Sequence, residues 1–128
     1  MKKNDFKAVS ADKYNPKYGE LTRRENGLYS EEGEVRSEFA RDYTRVLHCT
    51  AYRRLKHKTQ VFYNIENDHI CTRMEHVLHV ESAAYTIAKR LKLNDELTRA
   101  IAMAHDLGHA PFGHHGERII GKLYKKIN

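Results

Sequence analysis

The sequence predicts an all-α fold, with about four main helices following an irregular N-terminal arm. Three observations carry this reading. Apolar residues after residue 36 recur at three- and four-residue steps, the period of an amphipathic helix. Capping residues stand where the stripes begin, and glycine and proline stand between them. Hydrophobic residues make up 40% and charged residues 31% of the 128, the balance of a globular domain rather than a disordered chain.

Residues 1–36 hold Asn15-Pro16, Gly19, Gly27 and Gly33 among mixed charges, with no clear period. They read as a loosely ordered arm, and residues 37–128 as the helical domain. Ser37 is the expected N-cap of the first main helix, with Glu38 in the first turn where the helix dipole favours negative charge. Its stripe is Phe39, Tyr43, Val46, Leu47, Ala51 and Leu55, so one helix is expected to about Arg54 or His57. Lys58 to Cys71 reads as a connection, with Lys58-Thr59-Gln60-Val61-Phe62-Tyr63 a candidate extended piece. The next helix has the clearest stripe, Val77, Val80, Ala84, Ile87 and Leu91, widened by Leu78 and Ala88. Asn94 then caps a helix bearing Leu97, Ile101 and Ala104, which Gly108 and Pro111 end. A last helix starts near Gly113 to His115 and carries Ile119, Ile120, Leu123 and Tyr124.

Composition narrows the function classes. The chain has no long uncharged apolar run and no secretory signal at its start, so no membrane span is expected. Cys49 and Cys71 are not in a C-x-x-C pattern and read as free thiols of a cytoplasmic protein. The formal charge of +6 favours anionic partners. Residues 1–36 carry eight basic and seven acidic side chains, whereas 37–73 carry seven and four. That excess concentrates in Arg53-Arg54-Leu55-Lys56-His57-Lys58, which is either a solvated basic face or a phosphate contact with Arg53 as its candidate.

Six of the nine histidines lie from residue 76 onward, four of them between 105 and 115. A core does not need that density of imidazoles. Histidine and carboxylate without thiolate are ligands for a divalent ion of the Mn, Fe, Co, Ni, Zn or, less well, Mg type. His105 and Asp106 are neighbours, which on a helix point about 100° apart, so both reach one ion only between their directions. If the two strongest helices pack antiparallel, His76 at the start of one joins His105 and Asp106 at the end of the other.

The string Ala104-His105-Asp106-Leu107-Gly108-His109-Ala110-Pro111-Phe112-Gly113-His114 resembles the HD motif of the dGTP triphosphohydrolase family within the HD-domain superfamily. Arg36-Ser37-Glu38-Phe39, Arg45-Val46-Leu47-His48, Ala51-Tyr52-Arg53-Arg54-Leu55 and Lys58-Thr59-Gln60-Val61-Phe62 are similar to that family's N-terminal region. So is Arg73-Met74-Glu75-His76-Val77-Leu78-His79-Val80, where the family has serine and glutamate in place of Val77 and His79. The resemblance spans roughly residues 20 to 120. It implies a helical HD-domain core that uses one divalent metal to cleave a deoxynucleoside triphosphate into deoxynucleoside and tripolyphosphate. His76, His105 and Asp106 would be three of its four metal ligands. His114 and Glu117 would be the catalytic pair, with His109 beside the phosphates. Arg73 would meet the α-phosphate and Gln60 the deoxyribose. Homo-oligomers are a further implication.

The fourth ligand of the family is an aspartate on a later helix, and no aspartate follows Asp106 here. The expectation is therefore either a fragment of a longer enzyme or a short module that binds metal, nucleotide or single-stranded nucleic acid without turnover.

Overall fold

The computed structural model describes residues 6–27, 32–58, 71–110 and 113–127, and its regular elements there are all helical. Among them lie α1 (Tyr18–Leu21), α2 (Glu38–His48), α3 (Thr50–Arg54), α4 (Arg73–Leu91), α5 (Asp95–Ala104) and α6 (Gly113–Ile127). Single 3-10 turns form at Lys7–Val9 and Leu55–His57, and no strand occurs among the described residues. Gln60, Val61 and Phe62, with Pro111 and Phe112, lie outside the described residues.

α2, α4 and α5 each start where side chains supply acceptors for the orphan amides of a first turn. Ser37 accepts from the Ala40 amide at 3.1 Å, and Asn94 accepts from Leu97 at 2.8 Å. Thr72 and Glu75 form a reciprocal capping box at the head of α4. Hydrogen bonding of the Glu75 carboxylate to the Thr72 amide holds its pKa below the ordinary value of 4.5. Its end of the box is thus intact at neutral pH and lost as pH falls through the lowered value.

The single helix expected from Ser37 to Arg54 or His57 is broken in the structure. Cys49 is extended, at φ −72° and ψ 151°, and its thiol accepts from the Tyr52 amide at 3.3 Å, so it caps a new helix. The break has a packing reason. It leaves Ala51 exposed and turns Tyr52 and Leu55 inward, at 5% and 0% exposure.

α5 packs against both α2 and α4. Among the described residues, Tyr52, Leu55, Val77 and Met103 are buried together as a core, with Tyr43, Val46, Cys49, Met74 and Leu107 half-buried around them. The stripe expected on α4 is buried only in part. Val77 and Ala88 are enclosed, whereas Leu78 and Ile87 face solvent, as does Ile101 on α5. α6 likewise carries Ile119, Ile120, Leu123, Tyr124 and Ile127 exposed. Among the described residues, no helix is long and apolar enough to cross a membrane.

Residues 6–27 are turns and short helices fastened to this core. The Phe6 amide donates to the Leu91 carbonyl at 3.3 Å, and the Asn94 side-chain amide donates to the Ala11 carbonyl. Arg24 pairs with Asp42 at 2.6 Å, and Tyr18 meets Phe39 edge to face at 6.1 Å between centroids.

Two outcomes follow for stability. Met103 is fully buried at the centre of the core, so Met103→Ala should cost about 2–5 kcal/mol in chemical denaturation. Lys92 ends α4 in the left-handed region at φ 57°, where an L side chain is strained. Lys92→Gly should therefore raise the unfolding free energy by about 1 kcal/mol by the same measurement.

Candidate metal centre and acid–base pair

α5 stops at Ala104, earlier than Gly108 would suggest, because the chain tightens into a turn closed by the Leu107 amide on the Ala104 carbonyl at 3.1 Å. His105 and Asp106 therefore sit at the lip of the helix, where adjacent side chains converge more easily than within a regular turn. His76 lies in the first turn of α4, which runs past this lip. The ligand atoms of His76, His105 and Asp106 all fall within 4.8 Å of one another. The two imidazole rings are 5.5 Å apart and tilted by 70°.

The buried residues beneath the site explain why it assembles. Val77 follows His76, Met103 precedes His105 by two positions, and Leu107 follows Asp106. Burial of that cluster draws the start of α4 to the end of α5 and brings the polar neighbours with it.

Hydrogen bonding then fixes which atoms are on offer. His105 Nδ1 lies 2.6 Å from the Ala102 carbonyl oxygen. A carbonyl only accepts, so Nδ1 carries a proton and the neutral ring offers its lone pair at Nε2, the arrangement common behind metal-bound histidines. Nε2 is 4.0 Å from Asp106 Oδ1. The other carboxylate oxygen, Oδ2, accepts from Arg73 Nη1 at 3.0 Å. Asp106 is thus held in place by one oxygen and presents the other. Oxygen and imidazole ligands sit about 2.1 Å from such an ion, so two of them lie at most about 4.2 Å apart. With their ligand atoms within 4.8 Å of one another, the three residues are close enough to be drawn onto one divalent ion by shifts of about an ångström.

A second cluster follows the turn. Glu117, in the second turn of α6, spans two histidines: His109 Nδ1 is 2.8 Å from Oε1 and His114 Nδ1 is 3.0 Å from Oε2. Their rings stand 5.5 Å apart. The His109 side chain is 13% exposed and the His114 side chain 84%, so one is held and the other faces solvent. The hydrogen bond with His114, followed by the charge of His109, keeps the Glu117 carboxyl below its ordinary 4.5. The pairing therefore stands above that value and disappears as pH falls through the lowered one. With each Nδ1 facing Glu117, the neutral form of either ring offers its lone pair at Nε2.

The two clusters are consecutive along the chain, since the His109 amide donates to the Asp106 carbonyl at 3.2 Å. Gly113 lets α6 begin where it does. It takes φ 59°, and a Cβ there would meet His109 Nε2 at 3.5 Å.

Of the sequence-predicted residues, His76, His105, Asp106 and Arg73 meet in one place, and His109, His114 and Glu117 meet in the next. Arg53 lies apart, exposed on α3, where it donates to the His48 carbonyl at 3.5 Å. Gln60 is outside the described residues. Sequence reasoning missed the Arg73–Asp106 ion pair and the role of Lys58, whose ammonium donates to the His109 carbonyl at 2.9 Å. The only signal for Lys58 was its place at the end of the basic run.

A helical core with a His-Asp pair at the lip of a helix is the architecture of an HD domain. Residues 73–128 match the HD domain family model. It is also similar to several proteins described as deoxyguanosinetriphosphate triphosphohydrolase-like. Identity is 50% over 110 residues with that of Caldanaerobacter subterraneus subsp. tengcongensis, covering 84% of this chain and 32% of the relative. With that of Geobacter metallireducens it is 47% over 118 residues, 92% of this chain and 28% of the relative. With that of Roseobacter denitrificans it is 58% over 93 residues, 73% and 24%. The chain thus spans about a third of the length of the curated relatives it matches, or less.

The ligand set makes a direct prediction. Isothermal titration with Mn²⁺ should show one site, and Asp106→Asn should weaken it by about 10–100-fold without loss of helical circular dichroism.

Proposed function

We propose that these residues are the metal-binding and acid–base part of a metal-dependent dNTP triphosphohydrolase, cleaving a dGTP-like substrate to deoxynucleoside and tripolyphosphate. One observation carries the reading: a three-ligand His/Asp cluster is followed, one turn along the chain, by two histidines bridged by a single carboxylate. Phosphoester hydrolysis needs those two functions side by side.

His76, His105 and Asp106 would hold a divalent ion, which when bound would polarise a phosphoryl oxygen as a Lewis acid. The chain's own residues do the rest. Arg73 spends one guanidinium hydrogen on Asp106 and keeps others for the planar oxygens of the α-phosphate. His114, exposed and steadied by Glu117, takes the proton of the attacking water at Nε2. As water oxygen bonds to the α-phosphorus, the bond to the 5′ oxygen breaks, and that oxygen leaves with the nucleoside and takes a proton from solvent, while His114 returns the one it took to solvent. His109, held in place by Glu117, lines the phosphate side. The names of the similar proteins support this choice of substrate.

A second reading has its own observation. Arg53, Arg54, Lys56 and His57 are exposed on α3 and the turn after it, a basic face suited to a single-stranded nucleic acid or nucleotide bound without turnover.

Incubation with dGTP and Mn²⁺ separates the readings. Under the first, deoxyguanosine and tripolyphosphate form in equal amounts, and His105→Ala lowers the rate by at least about 100-fold. Under the second, no tripolyphosphate forms, while single-stranded DNA binds with a steep salt dependence that Arg53→Ala reduces.

A further inference from the structure

We propose that Lys58 is a positioning residue that locks the His109 turn to the head of α4, so that the acid–base pair keeps its register on the metal cluster. The inference rests on the hydrolase reading for its kinetic consequence, but the clamp stands on geometry of its own. Lys58 makes three contacts with three separate parts of the site. Its amide donates to the carbonyl of Leu55, which is fully buried in the core. Its carbonyl accepts from the Arg73 amide at 2.8 Å, at the first residue of α4 and one turn before His76. Its ammonium crosses to the His109 carbonyl at 2.9 Å.

The chemistry of this last contact makes it a clamp rather than a decoration. The His109 carbonyl lies in the irregular stretch between α5 and α6, so no helix holds it. A charged donor makes a shorter and stronger hydrogen bond to a carbonyl than a neutral one does. Lys58 is only partly exposed, so water competes poorly for its ammonium. On the other side of the same residue, the His109 imidazole reaches Glu117. Fixing the peptide therefore fixes where that ring pivots. Without the ammonium, the ring would keep its Glu117 partner but lose its fixed distance from Asp106 and Arg73.

Such a residue touches neither ion nor substrate, and its effect should fall on turnover rather than on binding. Two variants test it in the full chain. Lys58→Met keeps the length of the stem and removes the donor, whereas Lys58→Arg keeps a charged donor. Hydrogen exchange measured by NMR should rise by about tenfold at the amides of residues 107–110 in Lys58→Met, while exchange in α4 and α5 and the melting temperature stay as in the parent. In the dGTP and Mn²⁺ assay, kcat should fall by about 10–100-fold, the range seen when supporting contacts behind a metal site are removed. KM should move less than about threefold. Lys58→Arg should restore both readouts.

Unchanged exchange at 107–110 in Lys58→Met would overturn the clamp, as would a Lys58→Arg that behaves like Lys58→Met. Exchange that rises in step across α4 and α5 would also overturn it, because Lys58 would then be a fold contact only. A parent chain without turnover would sink the hydrolase reading alone, since the exchange experiment still decides the clamp.

Discussion

Burial of Val77 with Met103 is the contact on which the rest depends. These two side chains are fully enclosed, one near the head of α4 and the other near the foot of α5. Apolar burial has no direction of its own, yet here it has a directional result. Because His76 precedes Val77, and His105 and Asp106 follow Met103, closing the core brings together three candidate metal ligands from two distant segments. The site is a by-product of where the hydrophobic residues had to go. Hydrogen bonds then refine it, with Ala102 selecting the tautomer of His105 and Arg73 holding one oxygen of Asp106.

The core is also lean for the work it does. Four buried side chains anchor the cluster, and much of the apolar surface on α4, α5 and α6 remains in water. What stiffens the site is therefore largely polar. Caps fix the starts of α2, α4 and α5, and ion pairs join α2 to the residues before it. Arg99 adds a further tie, paired with Glu81 of α4 and stacked over Tyr43 of α2 at 4.7 Å. Individually such surface pairs contribute little. This one links all three packed helices.

Much of this was legible in the sequence wherever the determinant is local. Ser37, Thr72 and Asn94 stand at the heads of their helices, although only Ser37 and Asn94 announce themselves as caps before the structure is known. The His-Asp pair and the Glu117 histidines are legible for the same reason, since each group lies within a dozen residues. The break at Cys49 was not legible, because a cysteine that caps a helix looks like any apolar residue within a continuous stripe. The extent of burial on α4 was not legible either, because periodicity marks a face but not how far a neighbouring helix covers it. Nor were the two longest-range contacts of the site: 33 positions separate Arg73 from Asp106, and 51 separate Lys58 from His109. No spacing rule reaches that far.

Gly113 carries a consequence of a different kind. A side chain at that position would find only ordinary contact, 3.5 Å from His109 Nε2, so volume is not what excludes it. The exclusion is one of handedness. At φ 59° the backbone lies in the half of conformational space that L-amino acids disfavour. The geometry that sets His109 beside Glu117 is thus easiest for the single achiral residue among the twenty, with asparagine and aspartate the next best and other side chains strained, as Lys92 is at φ 57°.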